Sequence, residues 1–223
     1  MRTVSLALGL VMLAAAWLGP LPALLPGPFS AHMAMHMAVV AVAAPLVALG
    51  VAGGALDPVR RVPALFSPIP ASLVELLAVW IWHAPALHHF ARHSALGVVL
   101  EQGTFFGSGL LVWIAAFGGD RRQRKERIAQ GGVALLLTSM HMTLLGALLA
   151  LPPRALYAHA AHGHGAPGAL SPLADQHLGG AIMLIVGGVV YLAGGLALTV
   201  ELFQRIRADR SPSDARAARE GAS

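Results

Sequence analysis

The sequence predicts an all-α integral membrane protein: a bundle of about six transmembrane helices with both termini in the cytoplasm. Three observations predict this. Of the 223 residues, 57% are hydrophobic and only 11% charged, less than half the charge of an ordinary soluble domain, about 25%. The apolar residues gather into six stretches long enough, or nearly long enough, to cross a hydrocarbon layer, which takes about 20 residues of helix. With the N-terminus inside, 13 of the 15 Lys and Arg residues fall on the inner side and only Arg92 and Arg154 on the outer side, as the positive-inside rule requires.

The six stretches run approximately Val4–Leu18, Ser30–Val51, Ala71–Leu87, Leu96–Phe117, Val133–Leu151 and Leu178–Phe203. The first follows Arg2 and has the look of a signal peptide, but no clear small-x-small cleavage site follows it before Pro20, so it reads as a retained helix. Residues 1–28 therefore form a first helix and outer loop, and 29–204 the main bundle. Residues 205–223 form a basic cytoplasmic tail of disordered composition. The intervening segments carry the punctuation. Gly19 to Pro28 is rich in Pro and Gly, Asp57 to Pro70 carries Arg60 and Arg61, and Gly118 to Gln130 carries five basic residues. Pro85 is placed to kink or end the third helix. Pro152 to Asp175 is the longest loop.

Composition also excludes chemistry. Cysteine is absent, so there is no disulfide framework, thiolate metal site or thiol redox couple. A sequence pI near 11 suits nucleic acid, but the basic residues sit in loops and tail between apolar spans, so no nucleic-acid partner is expected. No nucleophile–base pair, phosphate loop or cofactor fingerprint stands out, and the chain is not expected to be an enzyme.

The histidines carry the functional signal. Threaded through a bilayer, ten of eleven lie at or beyond the outer ends of the spans. His32 and His36 open the second helix. His83 ends the third, and His88, His89 and His93 follow in what reads as a solvated outer loop. His159, His162 and His164 occupy the long loop, and His177 starts the sixth helix; only His141 is deep. Imidazole is costly in lipid and a common metal ligand. His32 and His36 are four residues apart and share a helix face, a spacing at which two imidazoles can bind one ion. Met33 and Met37 form a neighbouring stripe, and thioether beside imidazole favours copper over zinc or magnesium, although methionine at helical spacing also serves as packing. Glu101 lies in the outer half of the fourth helix, at a depth where its carboxylate can join the cluster as ligand or as orienter. The candidate metal residues are thus His32, His36, His83, His141, Met33, Met37 and Glu101. Glu75 is a second intramembrane carboxyl, and Asp175 reads as the N-cap of the sixth helix.

Phe29-Ser30-Ala31-His32-Met33-Ala34-Met35-His36-Met37, followed by Ala44-Pro45-Leu46-Val47-Ala48-Leu49-Gly50, resembles the second-helix signature of the CtaG family of membrane proteins. Trp82-His83-Ala84-Pro85-Ala86-Leu87, Ser139-Met140-His141 and Asp175-Gln176-His177-Leu178-Gly179-Gly180 agree with it, and the resemblance covers roughly Phe29 to Leu192. It implies an assembly factor for caa-type cytochrome c oxidase that holds or delivers copper. The implied partners are oxidase subunits, periplasmic copper chaperones and the lipid bilayer, and the implied location is the bacterial inner membrane. The roles carry over to His32, His36, His83, His141, Asp175 and Gln176. Two positions depart from the family pattern: Gln102 stands where a histidine often follows the fourth-helix glutamate, and Leu184 where a tryptophan is common. Two other functions stay open on the residues alone. Two histidines at similar depth can ligate a b-type haem, and Glu75, Glu101 and His141 suit a copper or proton transporter.

Overall fold

Prolines and short polar caps set the helix starts. In the computed structural model, which describes residues 1–19, 24–119, 124–157 and 170–220 (side chains to 209), seven helices follow one another. They are α1 (Arg2–Trp17), α2 (Pro28–Val51), α3 (Pro68–Trp82), α4 (Pro85–His93), α5 (Ala95–Phe117), α6 (Arg124–Ala150) and α7. The last begins as Pro172–Ile182, passes through a π segment at Met183–Gly187 and continues as Gly188–Glu220. Pro28, Pro68, Pro85 and Pro172 each open a helix, where the missing N–H costs nothing and φ is already helical. Ser94 and Ser171 cap α5 and α7 by accepting from the amides of Gly97 and Ala174.

Four helices, α2, α5, α6 and α7, are long and apolar enough to cross a membrane. A fifth span arises if α3 and α4 count together, but they are bent by 74°. Ala84 is extended, with ψ at 133°, because the ring of Pro85 excludes helix at the preceding residue. The structure thus gives four to five spans where composition predicts about six. The shortfall is α1, whose 16 residues rise about 24 Å, short of the ~30 Å hydrocarbon core. α7 continues as helix to Glu220, through a stretch whose composition predicts disorder; its Ala, Arg and Glu residues are strong helix formers.

α1 packs on the second half of α2, α2 on α5 and the start of α7, α3 on α5 and α6, and α6 along α7. Leu73, Val74, Leu77 and Ile81 on α3, and Ile185, Val189, Leu192, Leu196 and Val200 on α7, form exposed apolar stripes at the three-and-four spacing of a lipid-facing helix. α6 and α7 approach closely through small residues: a Cβ built on Gly146 would lie 2.6 Å from the Leu184 amide nitrogen.

The polar groups gather in two chemically different clusters. At one, Asp57 accepts from the amides of Gly53 (2.7 Å), Val59 (3.0 Å) and Gly119 (2.9 Å). Arg127 there donates to the carbonyls of Phe66 and Pro63. At the other lie His32, His88, Glu101 and Tyr157. Asp175 does not cap its own helix, contrary to expectation. Its carboxylate reaches across to α2, accepting from the amides of Phe29 (2.8 Å) and Ser30 (2.9 Å); Ser171 has already capped α7, and α2 follows Gly27, which has no side chain to offer. Gln176 beside it donates to Leu149 O (3.1 Å) and accepts from the Leu156 amide (2.6 Å). These two side chains fix the start of α2 against α6 and α7. Midway between the ends, the π segment Ala38–Ala43 of α2 presents Val40 O to Trp113 (3.0 Å) and Tyr191 (3.3 Å), and Tyr191 also donates to Glu75. The intramembrane carboxyl Glu75 is thereby held in a polar knot centred on a π turn, a recurrent use of such turns.

Candidate metal centre

The first turns of α2 supply the centre's inner wall. His32 and His36 stand one above the other on the face toward α5, and both are buried. Met33 and Met37, each advanced about 100° around the helix, face elsewhere. Met33 lies with Phe29 against Gly179 of α7, and the Met37 sulfur lies against Gly187 beside Met142. The thioethers predicted to flank the imidazoles therefore pack in the α2–α6–α7 core on a different face of the helix.

α5 contributes Glu101, fully buried, and Phe105 one turn deeper. α4 contributes the outer wall. Its sharp bend from α3 lays it over the end of the bundle, so that His88 and Arg92, four residues apart, turn inward on one face. Ligand atoms of His32, His88 and Glu101 all lie within 4.8 Å of one another. His32 Nε2 is 3.5 Å from Glu101 Oε1. The other carboxylate oxygen, Oε2, is paired with Arg92 and accepts from Gln102 Nε2 (3.2 Å). Among the described residues, Glu101 Oε1, His32 Nδ1 and His88 Nδ1 are buried without a hydrogen-bond partner. Unsatisfied buried polar atoms are costly, and here three of them belong to residues of one cluster.

A second pair of imidazoles lies one turn deeper. The His36 and His83 rings are 5.5 Å apart, and Phe105 contacts His36 at 3.9 Å between ring centres. His83 Nδ1 is 2.6 Å from Val79 O, so the proton sits there and Nε2 keeps its lone pair. That Nε2 and both ring nitrogens of His36 are also buried without partners among the described residues. His88, His32, His36 and His83 thus descend into the bundle around Phe105.

Tyr157 closes the side of the centre. Its ring stacks on Phe29 (4.7 Å) and contacts His88 (4.6 Å), and its hydroxyl donates to His83 O at 2.6 Å. Burial pushes the phenol up to about 12, so it remains a donor at neutral pH. Outside, a cleft of about 460 Å³ is lined by Pro85, His88, His89, Arg92, His93 and Tyr157, among others. His88 and Arg92 therefore belong to both spaces.

The other predicted residues are placed apart. His141 is buried in α6 with both ring nitrogens unpartnered and joins none of the ring contacts among the described residues. His89 and His93 stack on each other at 4.0 Å at the cleft. His177 Nε2 meets Pro152 O at 2.9 Å. His159, His162 and His164 lie outside the described residues. Sequence reasoning missed His88 and Arg92. The signal was their four-residue spacing within a segment whose Ala91 and His88 share a face, a periodicity obscured by treating 88–93 as loop.

Two imidazoles and one carboxylate from three helices make a donor set suited to a late first-row transition ion, with coordination positions left open for exchange. No curated protein and no solved structure matches the chain. Residues 1–205 match the profile of a family described as cytochrome c oxidase caa3 assembly factor, and that range includes every side chain of the centre just described. On this match the chain, a multi-pass membrane protein, belongs to the cytochrome c oxidase caa3 assembly factor family.

Proposed function

We propose that this assembly factor accepts a copper ion at the His32–His88–Glu101 centre and passes it to a nascent cytochrome c oxidase. The observation that carries the reading is the convergence of three buried donor groups whose ligand atoms lie within 4.8 Å of one another, with Glu101 Oε1 and one ring nitrogen of each histidine lacking a hydrogen-bond partner among the described residues. A purely structural cluster would satisfy those atoms with hydrogen bonds. Membership of an oxidase assembly family makes copper the ion of interest, because a haem–copper oxidase needs it. The arginine asymmetry of the sequence supports an outward-facing centre, and in the proposed bacterial inner membrane that face is where periplasmic copper chaperones and the exposed parts of oxidase subunits would meet it. His36 and His83, one turn deeper, offer a second seat for the ion. The protein acts by holding and handing over, without catalysing a reaction.

The test is complementation. A strain lacking the gene is supplied with wild type, His32→Ala, Glu101→Gln or His93→Ala, and oxidase activity and oxidase copper content are measured at matched protein levels. The reading expects the first two variants to lose both activity and copper, with partial recovery on adding copper to the medium, and His93→Ala to retain most of both. Full oxidase activity and copper content with His32→Ala and Glu101→Gln would sink it.

A further inference from the structure

We propose that Arg92 is an internal stand-in for the metal: an incoming ion binds His32, His88 and Glu101 by displacing the Arg92 guanidinium into the outer cleft. This inference rests on the copper-site reading and deepens it.

Four observations carry it. Glu101 is the carboxylate of the centre, and its existing cation is Arg92. The Arg92 side chain is 26% exposed where Glu101 is fully buried, so the guanidinium plugs the carboxylate from the cleft side. Arg92 also lines the cleft, together with His88, so retreat needs only a change of side-chain torsions. Among the described residues its Nε is buried without a partner, and the hydrogen bond found for its side chain goes to Glu101, so that carboxylate is what holds it inward.

The charge arithmetic favours exchange over addition. Glu101 and Arg92 together are neutral. Adding an ion while Arg92 stays would place unbalanced positive charge in a desolvated site, which is strongly unfavourable. Replacing the guanidinium with Cu(I) leaves the charge of the buried centre unchanged, and the displaced guanidinium regains water in the cleft. Without an ion, Arg92 keeps the carboxylate paired and the site closed. With one, its position outside signals loading on the surface where a partner would dock.

The experiment uses the full chain in detergent, with Cu(I) supplied under competition from bicinchoninate. Arg92→Gln removes the competing cation and is expected to bind Cu(I) about tenfold to a hundredfold more tightly than wild type. Arg92→Lys keeps a cation and is expected to stay within about threefold. Because Arg92→Gln leaves a buried carboxylate without its partner and can impair folding, wild type is also labelled with phenylglyoxal with and without Cu(I), and the Arg92 peptide is quantified by mass spectrometry. Loading is expected to raise Arg92 labelling at least about threefold, with Arg124 as the unchanged reference. Equal or weaker binding by folded Arg92→Gln, or unchanged Arg92 labelling on loading, overturns the exchange while leaving the copper site standing. No Cu(I) uptake by wild type overturns both.

Discussion

Replacing Asp175 with alanine removes a cap that α7 lends to α2. In the native structure the carboxylate accepts two backbone amides, those of Phe29 and Ser30, at 2.8 and 2.9 Å in a buried setting. Gly27, at the entry to α2, has no room for even a methyl group, because a Cβ there would overlap the Asp175 carboxylate. The substitution leaves two buried donors without an acceptor, at ~1–2 kcal/mol each, and removes a negative charge from the helix N-terminus, worth a further fraction of a kcal/mol. The expected loss is about 2–4 kcal/mol, and about 1–2 kcal/mol for Asp175→Asn, which retains one acceptor oxygen. Equilibrium unfolding of the purified protein in mixed micelles measures it. Ser171→Ala is the comparison, since Ser171 caps α7 itself on an exposed turn and should cost no more than ~1 kcal/mol. If Asp175→Ala costs less than Ser171→Ala, the cross-helix cap is refuted. The same variant should weaken metal binding, because His32 sits in the second turn of the helix being capped.

Asp57→Ala removes the acceptor for three amides at the opposite end and should destabilise by about 3 kcal/mol in the same unfolding assay, while leaving metal affinity within about twofold; a selective loss of metal binding would contradict the separation of the two ends. Gly146→Leu forces a side chain into the Leu184 backbone and should cost more than ~2 kcal/mol by overpacking the α6–α7 contact; unchanged stability would show that the two helices part easily. Tyr191→Phe removes the hydroxyl that bonds Glu75 and Val40 O and should cost about 1–3 kcal/mol, with no change in Cu(I) affinity; a shift in affinity would tie the deep carboxyl to the metal centre.

Hydropathy and charge were enough to read the long membrane-crossing helices, and Pro85 to read the break after α3, because these depend on local composition and on one rigid ring; the short helices α1 and α4 were not read correctly. His32 and Glu101 were legible as candidates for the cluster because a charged or imidazole group inside an apolar span has few structural uses, and the structure brings the two together. The fate of Met33 and Met37 was not, since a residue next to a ligand in sequence is turned by about 100° on a helix, and which neighbour it then meets is a tertiary fact. His88 was hidden for a related reason. A short amphipathic helix laid across a bundle end has the composition of a loop, and only the 74° bend aims its inner face at the carboxylate. Asp175 satisfied every local rule for capping its own helix, yet its partner lies 146 residues away.

The central claim is that His32, His88 and Glu101 together seat the ion. Anomalous diffraction at the copper edge from copper-loaded crystals tests it directly. The account predicts a copper peak at bonding distance from an imidazole nitrogen of His32, one of His88 and a carboxylate oxygen of Glu101, with the Arg92 side chain withdrawn from Glu101. Copper bound elsewhere, at His89 and His93 or between His36 and His83, with Arg92 still paired to Glu101, would contradict it.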